Sequence, residues 1–307
     1  MQAGSGSPLP VLQRGSREKH MKITSKIVTL ILLMIFFIGF CVLLYPAFSQ
    51  YWNSKTQSIA VAEYERMLQI ITRDQYSAVF EKARSYNDNL RALDSPLRQY
   101  SNIDGYQDAM DVNGTGMIGY ITISKISVEL PIYHGTEAEV LNIGCGHMQG
   151  TSLPCGGEST HCVLSAHRGI PGARLFTDLD KMQVGDTFTI TILDRVMTYE
   201  VDQVLIVEPS DTSEIQIVDG KDYCTLLTCT PYGLNTHRLL VRGHRIETLR
   251  PKVTYITSEA YLIDRLIVTP LVALPILFVL IAYVMLKPAK KTETIEDLLR
   301  EDRRPDR

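Results

Sequence analysis

Two uninterrupted apolar runs, at residues 27–45 and 266–286, bracket this 307-residue chain and decide what the rest of it can be. At a rise of about 1.5 Å per residue, about 19 such residues nearly cross a hydrocarbon core of roughly 30 Å, and uncharged runs of this length are seldom core helices of soluble domains. Arg14, Arg17, Lys19, Lys22 and Lys26 precede the first run, and Lys287, Lys290, Lys291, Arg300, Arg303 and Arg304 follow the second. The positive-inside rule then puts both termini in the cytoplasm and everything between the runs outside the cell. A cleaved signal peptide is the competing reading of the first run, since Pro46-Ala47-Phe48-Ser49 follows it. Its apolar region is longer than a usual signal core, so it reads as an uncleaved anchor.

Between the spans the pattern changes twice. Ile59, Tyr64, Met67, Leu68 and Ile71, then Tyr76, Val79, Phe80, Ala83, Tyr86, Leu90 and Leu93, recur at three and four, the helical period. Thr72 and Gln75 fit a capping box that restarts the helix between the two halves, so a helical pair is expected near the membrane. From Gly116 the signals turn to short β-runs at 119–123, 128–133, 162–165, 187–193 and 197–207, separated by Gly, Pro, Asn and Asp, with one short helix expected at 173–179. Closely spaced short strands point to a compact barrel. The expected organisation is a basic cytoplasmic N-terminus (1–26), a span (27–45), a helical juxtamembrane segment (46–115), a β-barrel (116–247), a linker (248–265), a second span (266–286) and a charged cytoplasmic tail (287–307). A formal net charge of −3 gives no reason to expect a nucleic-acid partner; the lipid bilayer is the partner the spans imply.

The chemistry concentrates in one stretch, Leu226-Leu227-Thr228-Cys229-Thr230-Pro231-Tyr232-Gly233-Leu234-Asn235-Thr236-His237-Arg238-Leu239-Leu240-Val241. It reads as a hairpin turned by Pro231, Gly233 and Asn235, with a thiol on one arm and a guanidinium on the other. Alternation along strands brings Cys229 and Arg238 to a common face and sends Cys224 and His237 to the opposite one. Cys145, Cys155, Cys162, Cys224 and Cys229 all fall in the exterior segment, and an odd number there leaves at least one thiol unpaired. Cys145, His147, Cys155, His161, Cys162 and His167 invite a metal reading, but neither a CxxC nor an HxxxH element occurs, so no metal or cofactor is expected. His134, His147 and His161 read as hydrogen-bonded loop or strand-end residues. His167 stands where the run Cys162-Val163-Leu164-Ser165-Ala166 opens into Arg168-Gly169-Ile170-Pro171-Gly172, and a distant Cys and His joined by the fold form a nucleophile arrangement.

Thr228-Cys229-Thr230-Pro231-Tyr232-Gly233 followed by His237-Arg238-Leu239-Leu240-Val241-Arg242-Gly243 resembles the signature of sortases, specifically class C, the pilin polymerases of Gram-positive bacteria. Gly119-Tyr120-Ile121, Leu130-Pro131-Ile132-Tyr133-His134-Gly135-Thr136, Gly146-His147-Met148-Gln149-Gly150-Thr151, Leu164-Ser165-Ala166-His167-Arg168-Gly169 and Leu175-Phe176-Thr177-Asp178-Leu179 resemble the family too. Ser49-Gln50-Tyr51-Trp52-Asn53 extends the likeness back to the first span. The resemblance implies a closed, mainly β sortase-type barrel with short helices, preceded by the helical juxtamembrane segment and flanked by two transmembrane helices. It implies a triad of His167, Cys229 and Arg238 that cleaves an LPXTG-like sorting signal between Thr and Gly and passes the acyl group to a pilin lysine. Thr228 and Thr230, which flank the nucleophile, are the expected substrate contacts, and the expected partners are pilin subunits carrying the sorting signal and an acceptor lysine. The Asp-Pro-aromatic lid of class C is altered here to Asp94-Ser95-Pro96-Leu97, so a covering role for Asp94, Pro96 and Leu97 competes with that of a plain loop ending the helical pair. A sortase that anchors proteins to peptidoglycan and a non-enzymatic membrane receptor are the competing functions.

Overall fold

A computed structural model describes residues 12–70, 72–112, 114–170, 172–248 and 277. The expected linker, second span and charged tail lie outside the described residues, Thr248 and Leu277 apart. Leu277 also apart, the described residues belong to one unit ending at Tyr255.

The first element, α1 (Leu12–Leu68), departs from expectation by running unbroken through Pro46. The apolar stretch and the first half of the expected helical pair are thus one helix. Proline removes one backbone donor from the ladder, yet the helical apolar pattern resumes beyond it and carries the chain on. Residues Ile31–Leu68 include a window of mean hydropathy 2.6, none of it buried by the rest of the protein, which is long and apolar enough to cross a membrane. The distal end of α1 buries Val61 and Tyr64 against the barrel, where the Tyr64 hydroxyl donates to the Ile118 carbonyl and accepts from Leu193 N–H, both at 3.0 Å. The second helix, α2 (Arg73–Arg91), restarts at the expected box, with Thr72 N–H donating to Gln75 Oε1 at 2.9 Å. It buries Tyr76, Phe80, Ala83, Tyr86 and Leu90, the stripe the spacing of three and four marks out. A four-residue helix, α3 (Pro96–Gln99), follows.

Eight strands close into a barrel: β1 (Met117–Ile123), β2 (Val128–His134), β3 (Cys145–His147), β4 (Thr160–Ser165), β5 (Thr187–Ile192), β6 (Arg195–Val207), β7 (Asp222–Thr230) and β8 (His237–Ile246), in the order β1-β2-β3-β4-β7-β8-β6-β5. Most pairings are antiparallel, but β2 with β3 and β4 with β7 are parallel. Inward positions form the core: Ile121 and Ile123 of β1, Phe188, Ile190 and Ile192 of β5, Met197, Tyr199 and Val201 of β6, Leu226 of β7, and Leu239 and Val241 of β8 are all buried. Each full burial of such a side chain contributes about 1.5–3 kcal/mol before entropy is charged against it. Gly243 of β8 sits where a Cβ would meet the Phe188 and Tyr199 side chains at 2.8–2.9 Å, so the absence of a side chain there lets the rings pack.

Two local expectations give way. The helix expected at 173–179 is a series of turns ending in one 3-10 turn at Leu179–Lys181, because Gly172 and Leu175 take positive φ, which the helical backbone cannot accommodate. Strand β3 and a short helix, α4 (Ala138–Ile143), were not anticipated.

Candidate active site

The register of β7 against β8 pairs Cys229 directly with Arg238 and Cys224 with Gly243. Burial alternates along β7: Cys224, Leu226, Thr228 and Thr230 are buried, whereas Leu227 and Cys229 are half-exposed. The thiol therefore faces away from the core, on the same side of the sheet as the guanidinium opposite. Arg238 Nη1 donates to the carbonyls of Asn235 and His237 at 3.2 and 3.1 Å, which props the side chain against the turn. Among the described residues its Nε and Nη2 protons are left uncommitted.

The parallel pairing of β4 with β7 brings the segment that carries His167 to the same end of the barrel. Ser165 is in register with Leu227, and Ala166 N–H donates to the Leu227 carbonyl at 3.2 Å. Two residues further on, Cys229 lies within β7 and His167 just past the end of β4. Thr228 Oγ1 donates to the Ala166 carbonyl at 2.8 Å and Arg168 Nη1 to Thr230 Oγ1 at 3.2 Å, so both threonine hydroxyls are spent on joining the two strand ends. Thr228 and Thr230, the expected substrate contacts, are only 1% and 7% exposed and tie the two strand ends beneath the site. Arg168, which sequence reasoning passed over, also pairs with Asp180. No local pattern could reveal a role set by two partners so far along the chain. Burial holds the His167 pKa below the usual histidine value, favouring the neutral imidazole.

A second apolar cluster lies beside the thiol. Val163, Ile215 and Leu240 are buried there, with Leu97, Met148, Val207 and Leu227 packed against them. Leu227 is two residues before Cys229 and so shares its face. The cluster thus floors a surface leading to the thiol, and Leu97 rests on it. The Leu97 backbone also closes over Gly150, where an added Cβ would lie 3.1 Å from it. Asp94 is exposed and pairs with no cation among the described residues; Arg238 bonds backbone carbonyls instead.

Apart from Cys41, which is exposed on α1, the remaining cysteines sit with His134, His147 and His161 in the barrel wall and core. All six cysteines are free thiols, and Cys145, Cys155, Cys162 and Cys224 are buried. Cys162 and Cys224 are cross-strand partners. Burial opposes ionisation of Cys162, but hydrogen bonds from Cys224 and His147 outweigh it and hold its pKa below the ordinary thiol value. Burial pushes Cys224 the other way. His147 bonds Tyr106 Oη and the Ser152 carbonyl, both at 2.9 Å, and His161 bonds the Gln216 carbonyl and Thr225 Oγ1, both at 2.7 Å. His134 departs from expectation: it is buried edge-on against Tyr106 with neither ring nitrogen hydrogen-bonded.

Residues 121–246 match the sortase domain family. Sortase D of Bacillus subtilis (strain 168) is 33% identical over 131 residues, and sortase A of Streptococcus agalactiae serotype III (strain NEM316) is 31% identical over 135. These stretches cover 42% and 43% of this chain, which spans only 63% and 54% of the two relatives' lengths. Among solved structures, sortase C1 from Streptococcus agalactiae is 45% identical with a TM-score of 0.57, over 62% of this chain and 98% of that one. Sortase C of Streptococcus pneumoniae is 41% identical with a TM-score of 0.56, over 62% of this chain and 98% of that one. With this identity over nearly the whole of the solved domains, and a thiol, a guanidinium and an imidazole gathered at one end of an eight-stranded barrel, the chain belongs to the sortase family, in its class C.

Proposed function

We propose that this chain is a membrane-anchored cysteine transpeptidase that cleaves an LPXTG-like sorting signal between Thr and Gly and transfers the acyl group to a lysine amine of a pilin subunit. The observation that carries the reading is the direct cross-strand pairing of Cys229 with Arg238 beside the β4 end that bears His167. The relatives add support: one solved structure is described as a pilus-related sortase C of Group B Streptococcus, and the Streptococcus pneumoniae study concerns pilin substrate specificity. The exposed apolar stretch of α1 supports the anchor.

The proton and bond changes follow from the side chains. Neutral His167 takes the Cys229 proton as the sulfur attacks the threonine carbonyl, and the free protons of Arg238 stabilise the oxyanion or hold the substrate backbone. The carbon–nitrogen bond then breaks, and His167 returns the proton to the departing glycine amine. A thioacyl enzyme remains. In the second half the lysine amine attacks the thioester and loses a proton to His167. The carbon–sulfur bond breaks, and that proton returns to Cys229. The product is an isopeptide bond. The apolar floor formed by Leu227, Leu240 and Val163 offers a seat for the apolar residues of the sorting signal, and Pro96 and Leu97 act as its cover.

The test is to incubate wild-type and Cys229→Ala chains with a sorting peptide and an amine acceptor and to weigh the products. The wild type is expected to yield the peptide–acceptor amide and a thioacyl adduct on Cys229, and Cys229→Ala neither. Ligation that survives in Cys229→Ala, or a wild type that yields free carboxylate with no amide, overturns the reading.

A further inference from the structure

The loop that follows His167 is gripped from outside the barrel, by the membrane-proximal part of α1. Ser49 lies against Gly172, Asn53 Nδ2 donates to the Gly172 carbonyl at 2.8 Å, and Gln57 Nε2 donates to the Ile143 carbonyl at 3.1 Å. The spacing of four places these three residues on one helical face, and all three are half-buried while most of their neighbours are exposed. The same face continues into Val61 and Tyr64, which are buried against the barrel. The stripe therefore changes from polar to apolar along a single helix; Ser49 and Asn53 meet the loop after His167, and Gln57 meets the end of α4.

That loop is closed on itself by backbone bonds that lead back to the histidine. Ala173 N–H donates to the Ile170 carbonyl at 3.2 Å and Phe176 N–H to the His167 carbonyl at 3.1 Å. Gly172 holds φ +89°, and the space a Cβ would take there is filled by the Ser49 side chain. Ala173, Leu175 and Phe176 anchor the far half of the loop in the core, so the outside donor Asn53 and the steric stop Ser49 act at Gly172, between that anchor and His167. We propose that Ser49 and Asn53 are positioning residues for the transpeptidation reaction, and that α1 just beyond its apolar stretch is a working part of the scaffold that sets His167 against Cys229. The inference rests on the reading of His167 as the acid–base group.

The experiment uses the full chain in lipid vesicles and follows ligation of a sorting peptide to an amine, with the melting temperature measured alongside. Asn53→Leu keeps the shape and deletes the donor. It is expected to lower kcat by about tenfold with KM nearly unchanged, as misplacement of a catalytic group does. It also moves the acid limb of the kcat/KM profile upward toward about 6.5, since a loosened loop hydrates His167. Gly172→Ala is expected to lose kcat through overlap with Ser49, and Ser49→Gly in the same chain to recover a good part of the loss. Asn53→Leu with wild-type kcat and an unshifted acid limb overturns the inference, as does a Gly172→Ala chain that melts normally and gains nothing from Ser49→Gly. A wild-type chain that ligates nothing overturns the transpeptidase reading and this inference with it. A wild type that ligates beside indifferent variants overturns this inference alone.

Discussion

Thr228 Oγ1 donates a 2.8 Å hydrogen bond to the carbonyl of Ala166, joining the residue before Cys229 to the residue before His167. Both are buried, so the bond cannot be exchanged for one to water. Thr228→Val keeps the β-branched shape and leaves that carbonyl unsatisfied, a cost of about 1–3 kcal/mol. The expected result is a lower urea midpoint and a fall in kcat well beyond any change in KM, because the two strand ends lose their tie. An unchanged kcat would show that backbone pairing alone sets the distance between the two side chains.

Between pH 7 and pH 5 the stability curve follows three histidines whose folded pKa is lowered. Burial lowers the pKa of His134, His161 and His167 from the ordinary value. The unfolded chain therefore takes up protons near pH 6.5 before the folded one does. Stability is full above that pH and is lost as pH falls below it, so the urea midpoint is expected to drop between pH 7 and pH 5. His134 has neither ring nitrogen hydrogen-bonded, so His134→Phe removes a proton site at the cost of no hydrogen bond and is expected to flatten that drop. An identical slope in His134→Phe would assign the effect to His161 and His167.

Leu97 packs on the surface that leads to Cys229, yet it belongs to a four-residue helix with no buried residue. A cover held so lightly opens at little cost. Leu97→Ser is expected to raise the rate at which a charged alkylating reagent modifies Cys229 several-fold with little change in melting temperature. Cys229→Ala supplies the blank: it subtracts any labelling of the exposed Cys41, while Cys145, Cys155, Cys162 and Cys224 are buried out of the reagent's reach. An alkylation rate unaltered by Leu97→Ser would mean that the thiol is already open and that Leu97 is only a wall.

The thiol and guanidinium were legible in the sequence because a short turn fixes their register locally: Pro231, Gly233 and Asn235 determine which residues of the two arms meet. The approach of His167 was not legible, since it depends on the parallel pairing of β4 with β7, which no alternation within either strand encodes. The barrel strands stood out by their β-branched runs, whereas β3, with the sequence Cys145-Gly146-His147, has none and owes its strand form to its neighbours. The helical stripe of 59–68 was read correctly as periodic, but as the first of a helical pair, whereas it is the far end of the one helix that begins before the apolar stretch. The two threonines beside Cys229, expected as substrate contacts, also tie the strands together, a role that depends on a partner 62 residues away and that no local pattern encodes.

Arg168 provides the sharpest electrostatic test. Its side chain is 10% exposed and that of its partner Asp180 is 48% exposed, so the two ends of one ion pair live in different solvents. The guanidinium also donates to Thr230 Oγ1, and its Nε is buried without a partner. Removing the cation by Arg168→Met leaves a carboxylate that water can solvate, along with one unpaired hydroxyl. Removing the anion by Asp180→Asn leaves a buried charge without compensation, the costlier omission at about 3–5 kcal/mol when the site is closed to water. Asp180→Asn is therefore expected to lower the urea midpoint more than Arg168→Met does, while Arg168→Met costs more in kcat because it alone breaks the link to Thr230 beside Cys229. Equal midpoints for the two variants would show that water reaches the guanidinium and screens the pair.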